Sequence, residues 1–328
     1  MKIGKLTNEQ LKEYIFKNID LKRKEVLHGG GVGADTAVMD FGGDLIVAST
    51  DPITGADKNL GILSINVAIN DVVSQGADPV GVLLSVLIPP DVELNRLKEI
   101  IVEANEECNK LNLDIIGGHT EVTDAVNRII ITATAIGRVQ REDLPDYTKI
   151  EEGDIVAISK HIAIEGSSII YSNKKDELKS ILTESEIDEL EHSINLLSVL
   201  EEAAISVKYG VKHMHDITEG GVYGALTETS KLIEKNIVIN KNDIPVKTST
   251  LKIAQHFNLD VHRLISSGSM IFIMPEKNFD DFKEECQSRD ILITKIGEIK
   301  EGENLTVVSD EGEIVLSEIS PDELYRLL

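Results

Sequence analysis

The sequence predicts a mixed α+β protein of two domains, and three observations carry that prediction. Its 328 residues suit about two domains at roughly 150 residues each. The segment QREDLPDYTKIEEGD, residues 140–154, is polar, acidic and broken by Pro145, which places a boundary between domains 1–143 and 151–328. Both halves mix strand and helix patterns without a strict βαβ alternation, so two α+β domains fit better than one doubly wound sheet.

The elements follow in order. Apolar strand-like segments lie at Leu45–Thr50, Val80–Ile88 and Ile129–Ile136, with helical patterns around Leu60–Gln75 and Glu93–Leu111. Past the boundary, Ile155–Ser159 reads as a strand. One long helix is expected over Glu184–Lys208, opened by a capping box in which Thr183 and Glu186 satisfy each other's backbone donors. Its apolar face is Ile187, Leu190, Ile194, Leu197 and Leu200. A helix at Val222–Lys235, a strand at Met270–Met274 and a helix around Asn278–Gln287 come next. Strands near Ile293–Ile299, Leu305–Val308 and Ile314–Leu316 complete the pattern.

Composition excludes several partners. Acidic residues outnumber basic ones, giving a formal net charge of −24. That surplus argues against nucleic acid, which is bound by Lys and Arg neutralising phosphates, and against docking on an anionic membrane. No apolar stretch approaches the roughly 20 residues of a transmembrane helix. The start, MKIGKLTNEQLKEYIFKN, lacks the apolar core of a secretory signal, so a cytoplasmic protein is expected. The two cysteines, Cys108 and Cys286, each fall on an apolar helical face and read as small core residues.

Five segments carry chemistry. HGGGVGADTAV offers Gly29, Gly30, Gly31 and Gly33, whose backbone N–H groups suit an anion, followed at once by Asp35. No clear strand precedes this loop, which sets it apart from a dinucleotide-binding turn, and no Gly-Lys-Ser/Thr exists for a P-loop. LIVASTDPITG delivers Asp51 at a strand end. The helix GILSINVAINDVVSQGADP is apolar nearly all round yet carries Asn66, Asn70 and Asp71. Asn66 and Asn70 share a face, with Asp71 about 100° further round. A buried carboxylate of this kind requires a cation or donors. A polar network joining two helices is the bland alternative. DIIGGHTEVTD supplies Gly117, Gly118, His119, Thr120 and Glu121 after a short strand, where a hairpin turn would also explain the glycines. MHDITEGGVYGAL places His215, Asp216, Thr218 and Glu219 before Gly220 and Gly221, which open a helix whose N-terminus favours anions.

The order of these segments, continued by S-S-G at Ser266–Gly268, resembles one superfamily. Its members include aminoimidazole ribonucleotide synthetase (PurM), the hydrogenase maturation protein HypE, thiamine-monophosphate kinase, selenophosphate synthetase and formylglycinamidine ribonucleotide synthetase. The match spans His28 to about Leu316, and HypE is the nearest in look through NVAINDVVSQGADP, HDITEGGVYGAL and Glu165–Ser167. The resemblance implies a PurM-like fold whose N-terminal domain forms a β-barrel dimer with a second copy, beside a C-terminal α+β domain. It implies ATP and Mg²⁺ as cofactors and a small-molecule substrate whose carbonyl or amide oxygen is phosphorylated.

By position, Asp35, Asp51 and Asp71 correspond to metal and phosphate ligands, with Asn66 and Asn70 beside them. Gly29–Gly33, Gly117, Gly118 and Thr120 correspond to phosphate cradles, and Asp216 with Gly220 and Gly221 to the second domain's share of the site. Asp71, Asp216 and His119 are the expected catalytic residues. The sequence departs from the pattern in three places. His119 stands where relatives carry Asp or Glu, and Ala34 where many carry a second Asp. The sequence as given ends PDELYRLL, in place of HypE's tail cysteine that carries a carbamoyl group. The expectation is therefore an ATP-dependent ligase-, cyclo-ligase- or dehydratase-type enzyme. Its alternatives are a HypE acting on a carbamoyl thiol supplied by a maturation partner, and a non-catalytic nucleotide-binding regulator.

Overall fold

The computed structural model describes residues 7–19, 22–29, 31, 36–54, 56, 58–318 and 320–327. The chain divides into two compact units, one built on Asp35–Leu144 with Leu21–Gly30, the other on Pro145–Leu328 with Met1–Asp20 and Gly31–Ala34. The short helix α1 (Asn8–Gln10) is opened by a capping box between Thr7 and Gln10.

The first unit is a six-stranded sheet in the order β1-β2-β3-β6-β4-β5. Its strands are β1 (Val26–His28), β2 (Ala37–Asp40), β3 (Leu45–Ile53), β4 (Asp78–Ile88), β5 (Asp114–Val122) and β6 (Ile130–Val139). All neighbours run antiparallel except β4 and β5, whose parallel pairing needs a crossover. Helix α3 (Leu94–Lys110) supplies it. Alternation along β3 buries Leu45, Val47, Ser49 and Ile53, and the paired residues Ile131, Ala133 and Ala135 of β6 are buried with them. Against this inner face packs α2 (Leu60–Val73), buried nearly all round, with α3 behind it. Gly61 allows that helix pair to close, since a Cβ there would stand 2.3 Å from the carbonyl oxygen of Ile100. Among the described residues, the sheet's other face carries no helix of this unit.

The second unit is a seven-stranded sheet in the order β13-β12-β9-β11-β7-β10-β8. The strands are β7 (Ile155–Ser159), β8 (His213–Asp216), β9 (Asn236–Asn240), β10 (Met270–Met274), β11 (Ile293–Lys300), β12 (Leu305–Ser309) and β13 (Gly312–Leu316). Central β7 and β10, IVAIS and MIFIM, are buried at every position, the mark of strands covered on both faces. The helices are α4 (Ile164–Leu178), α5 (Glu184–His192), α6 (Leu200–Lys208), α7 (Gly221–Ile233), α8 (Thr248–Phe257) and α9 (Phe279–Gln287). On one face Val156, Ile158, Ile271 and Ile273 join Ile170, Val222, Leu226 and Ile253 from α4, α7 and α8. On the other, Phe272 meets Phe282 of α9 at 5.2 Å between ring centroids, and α9 packs with α6. Each such buried aromatic contributes about 1.5–3 kcal/mol.

Both thiols lie in these interiors. Burial, reinforced by neighbouring acids, pushes Cys108 and Cys286 up to about 12.

The structure corrects three expectations and adds elements that none covered. The helix expected over Glu184–Lys208 is two helices, α5 and α6, separated by a 3-10 turn at Ser193–Leu196. The Lys160 ammonium donates to the carbonyls of Leu196 (3.3 Å) and Ser198 (2.5 Å), satisfying backbone that an unbroken helix would have paired internally. The capping box of Thr183 and Glu186 is present. Strand β1 does precede the glycine loop. DIIGGHTEV is neither a short strand nor a turn but the whole of β5, running beside β4. Helices α4 and α8 and strands β8 and β9 carried no signal that separated them from loop.

Candidate active site

Asp71 sits on α2 where the helix faces β3, and it is buried. Its carboxylate does not lack a donor: the Ser49 hydroxyl donates to Oδ2 at 2.5 Å. Such a charge-assisted bond offsets part of the cost of desolvating the acid. Ser49 and Asp51 are two apart on β3, so the pleat turns both to the face that carries α2. The structure thereby brings Asp51 and Asp71 onto one side of one sheet. Asn70 is fully buried in the adjoining turn.

Asn66 does something else. Its amide donates to Glu107 on α3 at 2.8 Å and to the Ile62 carbonyl at 3.0 Å, and Lys110 closes on Glu107 at 3.0 Å. Asn66 and buried Glu107 therefore join α2 to α3, which is the polar-network alternative. The Asn66 Oδ1 is buried without a partner among the described residues.

The residues of β5 divide between two faces. Thr120 is in register with Val86 of β4 and Ile131 of β6 lies beyond, all on the side of α2. His119 and Glu121, 3.4 Å apart and exposed, are in register with Ser85 and Leu87 on the opposite face. The strand's alternation thus separates His119 from Asp51 and Asp71. Gly118 has a packing reason of its own: at φ +145°, a Cβ there would fall 1.9 Å from the Leu84 carbonyl oxygen. Gly117 precedes it in the same strand. Of the glycine loop, Gly29 and Gly31 are half-buried, and a Cβ at Gly31 would meet open space. Gly30, Gly33 and Asp35 lie outside the described residues. Among the described residues no three His, Cys, Asp or Glu side chains converge as a metal site. The all-oxygen donors Asp51 and Asp71 match the chemistry of Mg²⁺.

In the second unit Asp216 ends β8, buried, and Gly220 (φ +87°) is the N-cap of α7. Gly221 (φ +63°) follows, and a Cβ there would lie 2.5 Å from the His262 carbonyl oxygen. With no side chain at Gly220 to cap the helix, Asp322 does so: its Oδ2 accepts from the Gly220 N–H at 2.7 Å. Glu165, in the first turn of α4, is buried nearby. Burial raises both acids to about 6. For Glu165 the charges of Asp322 and Asp216 add to the effect and bonds from Ser267 oppose it. Burial also drives His213 down to about 3, beside His215.

Sequence reasoning missed Ser49, Glu107 and Asp322 as members of these clusters, and noted Glu165 only as part of a motif. Ser49 had a signal, its i, i+2 spacing from Asp51 on an alternating strand. Asp322 had none, because its partner lies 102 residues away.

This two-unit arrangement of a mixed sheet and helices defines an AIR synthase-type fold. Residues 33–139 match the family model of the AIR synthase related protein N-terminal domain, and residues 151–310 match that of its C-terminal domain. The chain belongs to the AIR synthase related family. It is 28% identical over 284 residues to a putative hydrogenase expression/formation protein of Methanocaldococcus jannaschii, covering 84% of this chain and 81% of that protein. Two solved structures share its fold at a TM-score of 0.75. One, a HypE–HypF complex, is 22% identical, with 88% of this chain and 94% of that chain covered. The other, hydrogenase maturation protein HypE in complex with ATP, is 18% identical, with 96% and 95% covered. No helix among the described residues is long and apolar enough to cross a membrane.

Proposed function

We propose that this protein is an ATP-dependent enzyme of the AIR synthase and HypE type that activates a carbonyl or amide oxygen of a small substrate by phosphorylation. The observation that carries the proposal is Asp71: a carboxylate buried in an apolar helix, held by Ser49 and sharing its face of the sheet with Asp51. The ATP complex of HypE, a protein of the same fold, supports it.

In this scheme Asp51 and Asp71, with Asp35, hold Mg²⁺. When bound, the ion neutralises charge on the phosphate oxygens. Ser49 fixes the Asp71 carboxylate so that it need not reorganise during phosphoryl transfer, a reaction governed by positioning and charge. Backbone N–H groups of Gly29–Gly33 and the hydroxyl of Thr120 receive phosphate oxygens, replacing a basic patch in this acidic chain. Asp216, Gly220 and Gly221 belong to substrate binding. Domains 1–143 and 151–328 are the units of this division of labour, and the enzyme is cytoplasmic. His119, on the opposite face of the sheet, is left outside the phosphate site.

The helix-free face of the first sheet carries partly exposed Leu83 with Ser85 and Leu87, and β5 is an edge strand. An open face and edge of this kind suit a second copy, and we infer a homodimer built there.

A second version of the activity is hydrogenase maturation on a carbamoyl thiol. Cys108 and Cys286 are buried and held protonated, so neither serves as the carrier. In this version the thiol is supplied by another protein, in keeping with the HypE–HypF complex. Incubation with ATP, carbamoyl phosphate and a carbamoyl-transferring partner distinguishes the two. A cyanated product supports maturation. Phosphate release with small amides alone supports a metabolic substrate, and no turnover with either leaves the non-catalytic regulator.

A further inference from the structure

Strand β13 ends the second sheet on an open edge. It pairs only with β12, so alternate backbone N–H and C=O groups along Gly312–Leu316 point away from the sheet, with no strand to receive them among the described residues. Ile314 and Val315 are β-branched neighbours, and the pleat sends them to opposite faces. Ile314 is in register with buried Val307 and Val315 with Thr306, yet the two are 51% and 61% exposed. Sheet edges are commonly blunted by Lys, Pro or a bulge. Residues 312–316 hold neither Lys nor Pro, the register with β12 runs unshifted, and Glu313 is the one charge. A strand apolar on both faces suits a place inside a sheet.

Charge decides which strand fits beside it. Residues 301–318 contain six acids, Glu301, Glu303, Asp310, Glu311, Glu313 and Glu318, and no Lys or Arg. All six are exposed. Lys300, at the border of this stretch, is already paired with Glu298 at 2.9 Å. A second copy of the β12–β13 hairpin would bring the same acids, and like charges on adjacent strands destabilise the pair. A strand that carries basic side chains is attracted instead.

We propose that β13 is a docking edge for an extended segment of another protein, one that alternates basic and apolar residues. The segment adds to the seven-stranded sheet as a further strand, its backbone pairing with the outward groups of β13. Ile314 and Leu316 share one face of β13, where Leu316 already packs on the core. The incoming apolar side chains extend that face and cover Ile314. Glu313 and Val315 share the other face, where incoming basic groups meet Glu313 and their aliphatic stems lie on Val315. Docking at this edge needs no nucleotide.

Hydrogen exchange of the full chain, without nucleotide, tests the proposal with three capped synthetic peptides: KVKVKVK, EVEVEVE and KVKPKVK. The third keeps the charge of the first but cannot form an unbroken strand. The expected result is that saturating KVKVKVK slows exchange in residues 312–316 by about tenfold. EVEVEVE and KVKPKVK leave these residues unchanged, and added salt weakens the effect of KVKVKVK. Glu313→Lys, at an exposed position, keeps the wild-type melting temperature and weakens KVKVKVK binding by about tenfold. Protection of 312–316 in the free chain that grows with protein concentration makes a second copy the occupant and overturns the proposal. It is equally overturned if KVKVKVK binds without protecting 312–316, if EVEVEVE or KVKPKVK protects them as well, or if folded Glu313→Lys binds KVKVKVK unchanged. Should Glu313→Lys fail to fold, the three peptides on wild type decide.

Discussion

The hydroxyl of Ser49 donates to Asp71 at 2.5 Å and so ties the inner face of β3 to α2. The bond joins the strand that carries Asp51 to the helix that carries Asp71, and it helps to offset the cost of burying the carboxylate. Removing it has a definite signature. Ser49→Ala should lower unfolding free energy by about 1–3 kcal/mol in a urea titration and weaken Mg-ATP binding with it. Unchanged stability would mean that the hydroxyl is replaceable by solvent.

Asn66 and Glu107 provide a contrast. Their 2.8 Å bond joins α2 to α3 and does not face Asp51. Asn66→Ala and Glu107→Ala should each cost about 1–3 kcal/mol but leave the affinity of the folded protein for Mg-ATP unchanged in calorimetry. A loss of affinity without a loss of stability would return Asn66 to the nucleotide site.

Glu165 sets a pH dependence. Its value in the folded protein, about 6, lies above the ordinary 4.5, with burial as the main cause. The folded state therefore holds this proton more tightly than the unfolded chain. That contribution to stability is complete below about pH 4 and is lost as pH rises through about 6. Glu165→Gln, neutral throughout, should gain on the wild type across this range and level off above about pH 7, by about 2 kcal/mol. His213 acts in the opposite sense: held at about 3 by burial, it costs stability as pH falls below about 6.5. A Glu165→Gln difference that is flat from pH 4 to 8 would show that its carboxylate is solvated.

The thiols should be silent in the native state. With Cys108 and Cys286 both buried and shifted up to about 12, a disulfide reagent at neutral pH should react only as fast as the protein unfolds. Rapid modification of either in native buffer would make it a candidate carrier after all.

The strands were legible where their patterning was local. Short apolar segments marked β3, β4, β6, β7 and β10. A carboxylate inside an apolar helix drew attention to Asp71 for a sound reason, since such a group must find a donor. Legibility ended where a distant contact decides the structure. Two glycines at positive φ made β5 look like a turn, although β4 holds it as a strand. Lys160 breaks the helix expected over 184–208 from 36 and 38 residues away. Periodicity could not show that Asn66 would be taken by Glu107, or that the alternation of β5 would carry His119 away from Asp71. The cap on α7 comes from Asp322, a residue with no motif around it.

We propose that Asp71 and its neighbours on the inner face of the first sheet bind Mg-ATP. Calorimetric titration of ATP with Mg²⁺ into wild type and Asp71→Asn tests it most directly, with circular dichroism to confirm that the variant is folded. Wild type should show saturable, Mg²⁺-dependent binding, and folded Asp71→Asn should lose at least about 2 kcal/mol, some thirtyfold. Equal affinity in the two proteins, or no binding to wild type, would contradict it.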